Sequence, residues 1–165
     1  MGMKEYEQAI ELMKTYPSMM DFVGPRSERF IEVAEKALDI SLPATYRRFL
    51  LEFGAGAFGA SEIYGIVSED FENSATPDGV WMTLYERRTV SMPKNMVVIY
   101  AVGDGELFCL DIEATKNEEA PVIAYQPGYT LEEQRREKIA DDFGGFLLDI
   151  VKREVSLADG LNRAK

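Results

Sequence analysis

The sequence predicts an α+β fold. Amphipathic helical spacing fills the first third of the chain, strand patterns punctuated by turn residues fill the middle, and one further helical pattern closes it. Tyr6, Ile10 and Met13 recur at helical spacing, and Pro17 ends that first helix, because proline lacks the amide that a helix interior uses. Ser27 is suited to cap a second helix that turns Phe30, Ile31, Ala34 and Leu38 inward. Pro43 fits the first turn of a third helix, where a missing N–H costs nothing. Tyr46, Phe49, Leu50 and Phe53 form its apolar face, and Gly54 stands where a left-handed C-cap belongs. Glu62 to Val67 reads as a short strand. Val80 to Thr89 fits two periods equally, alternation through Val80, Met82 and Leu84 or helical spacing through Trp81, Leu84 and Tyr85. Met96 to Val102 and Glu106 to Ile112 are strands joined by Gly103-Asp104-Gly105, the residues a hairpin turn requires. Val122 to Tyr125 continues the sheet. A last helix over Ile139 to Val155 places Phe143, Phe146, Leu147, Ile150 and Val151 on one side.

With 165 residues and no repeat or low-complexity linker, the chain reads as one domain, 1–165, long enough to bury a core without disulfide or metal staples. Its 29 acidic and 18 basic side chains leave a net charge of −11. Such a surface repels nucleic-acid phosphates, steers basic partners toward it, and also serves solubility. There is no histidine, which removes the usual general base near neutral pH, the Ser-His and Cys-His nucleophile arrangements and the commonest zinc ligand. No catalytic residue, cofactor or metal is expected. The single cysteine, Cys109, lies in the apolar run Leu107 to Leu110 and reads as a buried structural thiol. The charge-rich N-terminus lacks a signal-peptide core, Tyr6 stands where a myristoylation signal wants Ser or Thr, and no apolar run approaches a membrane span. A cytoplasmic location without membrane contact is the expectation.

Gly54-Ala55-Gly56-Ala57-Phe58-Gly59 matches the dinucleotide spelling G-x-G-x-x-G. That motif must leave a strand and open a helix, so that phosphate meets the positive end of the helix dipole. Here it leaves a helix and opens a strand, which makes it a turn. Acidic side chains cluster at Glu69, Asp70 and Glu72, with Asp78 nearby, and again at Glu118-Glu119. Neither cluster has calcium-loop spacing; each is either a solvated loop or a partner contact. Trp81, the only tryptophan, is either core or an interface anchor. Arg87-Arg88 reads as an exposed basic break rather than a site.

Leu42-Pro43-x-x-Tyr46-x-x-Phe49-Leu50 followed by Gly54-x-Gly56 resembles the SMI1/KNR4 family of the SUKH superfamily. Phe30-Ile31-x-x-Ala34-Glu35-x-x-Leu38, Ile63-Tyr64-Gly65-Ile66, Gly103-Asp104-Gly105-Glu106-x-Phe108-x-Leu110-Asp111 and Phe143-x-x-Phe146-Leu147 support it in order and spacing, over about residues 27 to 155. The resemblance implies a twisted, largely antiparallel sheet flanked by N-terminal helices and a C-terminal helix. It also implies a non-catalytic immunity protein of the bacterial cytoplasm, which binds and occludes a cognate toxin, for instance a nuclease with a basic active-site surface. The acidic surface argues against direct nucleic-acid binding. Glu69, Asp70, Glu72, Asp78, Trp81, Glu118 and Glu119 are the candidate partner contacts. A regulatory scaffold that recruits a cellular protein is the alternative, and a carboxylate-dependent hydrolase a more remote one.

Overall fold

The computed structural model describes residues 2–163. Helix α1 (Gly2–Lys14) buries Tyr6, Ala9, Ile10 and Met13 along one face. After a single 3-10 turn at Pro17–Met19, Met20–Phe22 form a short strand, β1. Ser27 caps α2 (Glu28–Leu38), its hydroxyl accepting from the Phe30 amide at 3.2 Å. The α2 face that points inward is Ile31, Ala34 and Leu38, with Phe30 only half-buried. Asp39 then leaves the helix in the left-handed region at φ 57°, which a short polar side chain tolerates.

The Leu-Pro corner is held by a carboxylate. Glu35 of α2 accepts from the Leu42 amide at 2.8 Å and pairs with Arg47, fixing α2 against α3 (Ala44–Glu52) across the turn. Tyr46 and Phe49 of α3 pack on Phe143, with ring centroids 5.0 and 5.3 Å apart. Contacts of this kind add roughly 0.5–1.5 kcal/mol beyond the area buried. At Gly54 the backbone turns with φ +74°, and a Cβ there would strike the Gly24 carbonyl oxygen. The nucleotide-like spelling is therefore a helix-to-strand turn into β2 (Gly56–Phe58), which pairs with β1 and with β3 (Ser61–Ile63) in an antiparallel sheet ordered β1-β2-β3.

The expected strand from Glu62 to Val67 is thus shorter than its pattern suggested. Beyond Ile63 the chain leaves the ladder, and Gly65 makes an isolated parallel bridge to Asp78. The ambiguous segment is a helix, α4 (Gly79–Val90), decided by Asp78, whose carboxylate accepts from the Trp81 amide. Strands β4 (Met96–Ala101), β5 (Leu107–Asp111), β6 (Val122–Tyr125) and β7 (Lys138–Ala140) form an antiparallel meander in chain order. The Tyr64 amide donates to the Ile99 carbonyl at 2.9 Å, joining the two sheets where a bulge interrupts β4 between Val98 and Tyr100.

The last helix, α5 (Phe143–Arg163), starts later than its apolar spacing suggested. Ile139 and Ala140 belong to β7, and Asp142 takes the Gly145 amide at 2.8 Å to begin the helix. Helices α1 and α5 approach so closely that a Cβ on Gly144 would overlap the Gly2 carbonyl. One face of the meander, through Val97, Ile99, Leu110 and Val122, joins the helices in the main core. The opposite face carries Met96, Val98, Cys109, Ile123 and Tyr125. Helix α4 covers part of it: Thr83 accepts from the Val98 amide at 2.9 Å and donates to the Gly79 carbonyl. Cys109 is fully buried there, and burial pushes its thiol pKa up, with Glu86 adding to the effect.

Candidate functional site

The first acidic cluster lies on the loop between β3 and α4. Phe71 anchors that loop in the main core. Asp70 folds it: one carboxylate oxygen accepts from the Glu72 and Asn73 amides at 3.1 and 3.2 Å, the other from the Asn73 side chain at 2.8 Å. The Asn73 side-chain bond, then the backbone bonds, hold the Asp70 carboxyl below its ordinary pKa. Glu69, Asp70 and Glu72 are all exposed. Glu69 also borders a groove of about 490 Å³ shared with Phe30 and Val33 of α2.

Asp78 differs from its neighbours and, contrary to expectation, is no partner contact. It is fully buried. One oxygen accepts from the Val67 and Ser68 amides and the Ser74 hydroxyl at 3.1, 3.3 and 2.9 Å, and the other from the Trp81 amide at 2.9 Å. Such a carboxylate closes its own loop and starts a helix, with no face left for another molecule. Trp81 is half-buried, and its ring stacks on Tyr85 one turn along, centroids 5.9 Å apart. Tyr85 is 43 % exposed. The pair therefore presents an aromatic surface at the start of α4, beside the acidic loop.

The second cluster divides in the same way. Pro43 precedes α3 without a side chain able to cap it. Glu119 does so from across the fold, accepting from the Thr45 amide at 3.0 Å and the Thr45 hydroxyl at 2.7 Å. Burial pushes the Glu119 carboxyl above its ordinary pKa, a shift the Thr45 bonds oppose. Glu119 is therefore half-buried and serves as a cap of α3, while the Glu118 side chain stays exposed. Arg87 is also not the exposed residue its sequence suggested. It is half-buried and donates to the Leu38 and Lys94 carbonyls at 2.8 Å each; only Arg88 faces solvent.

A further concavity had no sequence signal. Between the outer face of the meander and the segment 126–137 lies a cleft of about 190 Å³, bordered by Met96, Ile123, Tyr125 and Leu131 and by the carboxylates Asp111 and Glu113. These residues come from separate elements, and Leu131 is a lone apolar residue in a charged stretch.

The geometry defines a class: an α+β protein with helices around an antiparallel meander and polar, acid-bearing loops on its surface. The family is defined by residues 28–147, which match the SUKH family model described as SMI1-KNR4 cell-wall. The chain belongs to the SMI1/KNR4 family. A crystal structure of a protein from Pseudomonas syringae pv. tomato is similar in fold, with TM-score 0.52 and 15 % identity over 76 % of this chain and 89 % of that one. No curated protein matches the sequence.

Proposed function

We propose that the protein is an immunity protein, which neutralises a cognate toxin by binding it and occluding its active surface. Membership of the SMI1/KNR4 family over residues 28–147 carries this reading. The protein acts by binding rather than by catalysis, in the cytoplasm where such toxins act. Among the described residues no helix is long and apolar enough to cross a membrane. The charge of −11 supports a basic partner surface such as a nuclease groove, with carboxylates standing where phosphates would lie. Glu69, Asp70, Glu72 and Glu118 supply exposed charge, and the Trp81–Tyr85 pair supplies apolar contact of the kind enriched at interface hot spots. Co-expression with each toxin encoded beside its gene tests the reading. Restored growth and a stable complex are expected for one of them; free growth inhibition by every neighbouring toxin would overturn it.

A further inference from the structure

We infer that the cleft under the 126–137 segment is a receptor for one long basic side chain, arginine or lysine, of the bound partner. This rests on the reading above that the partner presents a basic surface. Met96, Ile123 and Tyr125 of the outer face of the meander line the cleft together with Leu131 of the 126–137 segment, which is 57 % exposed. The segment is pinned rather than loose. The Gln134 side chain accepts from the Gln126 amide at 2.8 Å and donates to the Gln126 and Tyr129 carbonyls at 2.7 and 3.2 Å. A cleft held open in this way avoids the ordering cost of forming on contact.

The chemistry of the walls selects the occupant. Apolar groups line the floor, and Asp111 and Glu113 stand at the side. The Asn95 side-chain Nδ2 donates to Asp111 at 2.8 Å and orients it. Among the described residues neither carboxylate has a cation within ion-pair distance, although Arg136 borders the same cleft. An arginine or lysine lays its methylene stem along apolar surface and presents its charge to carboxylates. An anion would be repelled by them. A purely apolar side chain would strip water from both carboxylates without replacing it. The Arg136 cation opposes the guest, so it sets how tightly the cleft binds.

The test is an NMR titration of the full chain with acetyl-arginine amide, and with acetyl-citrulline amide as its neutral isostere. The arginine compound is expected to shift the methyl signals of Leu131 and Ile123 saturably, and citrulline to bind roughly five- to tenfold more weakly. Glu113→Gln should weaken the arginine compound by roughly two- to fivefold, and Arg136→Gln should tighten it by a similar factor. These opposite changes at exposed positions separate recognition from general damage to the fold. Equal binding of arginine and citrulline, or shifts confined to another surface, would overturn the inference. The titration uses no toxin, so its failure counts against the cleft alone, whereas co-expression judges the immunity reading.

Discussion

The two acidic clusters look alike in sequence and are built by different physics. In each, one carboxylate turns inward to cap a helix while its neighbours face water. Asp78 caps α4 from the adjoining residue, reaching the Trp81 amide three positions on. Glu119 caps α3 from the far side of the fold, reaching Thr45. Clustered acids near helix starts are first candidates for satisfying backbone amides, and only the remainder is free for a partner.

Removing Asp78 tests the larger half of that comparison. Asp78→Ala leaves the Val67, Ser68 and Trp81 amides without their acceptor in a buried place. Urea denaturation should show a loss of about 2–4 kcal/mol. Glu119→Ala removes a half-buried cap that serves a single residue, the Thr45 amide and hydroxyl, and should cost about 1 kcal/mol by the same measurement. Equal losses at the two sites would break the distinction between them.

The same contrast explains what the sequence made legible. Caps close in the chain were visible: Ser27 before α2, and Gly54 after α3, both follow from residue chemistry at fixed local offsets. Asp78 offered the same signal, but the mixed periodicity of Val80 to Thr89 obscured it. Strands β1 and β7, three residues each, carry too little pattern to be read. Cross-fold partners were invisible, because nothing at Glu119 announces Thr45, and nothing at Asp111 announces Leu131. Of the proposed contacts, Glu69, Asp70, Glu72 and Glu118 are exposed, whereas Asp78 is buried and Glu119 half-buried, each engaged in a cap that the sequence did not make plain, and the cleft had no local signal at all.

Glu86 is a third largely buried acid, and it caps no helix. It lies on α4 over the outer face of the meander, 9 % exposed, and its carboxylate makes no hydrogen bond among the described residues. Burial raises its pKa above the ordinary 4.5. The native state therefore holds this proton to higher pH than the unfolded chain does. Its contribution to stability is present below the ordinary carboxylate value and is lost as pH rises through the native one. Glu86→Gln should stabilise the protein at neutral pH by up to about 1 kcal/mol and flatten that part of the stability-against-pH curve. A destabilised glutamine variant would mean that the carboxylate has a partner after all.

The smallest effect on stability should come from the acids left facing water. Glu69 and Glu72 are exposed, and the Glu72 contact to Asp70 uses its backbone amide, which a substitution preserves. Reversing both to lysine should change folding stability by less than about 0.5 kcal/mol. Each substitution removes one negative charge and adds one positive, taking the net charge from −11 to −7. Association with a toxin that the chain neutralises should slow severalfold at low ionic strength, and the difference should shrink as salt screens the surface. Stopped-flow association across a salt series measures this directly. A slowing that persists undiminished in high salt would point to lost shape contacts instead of lost steering, and would move the role of this loop from long-range attraction to direct docking beside Trp81 and Tyr85.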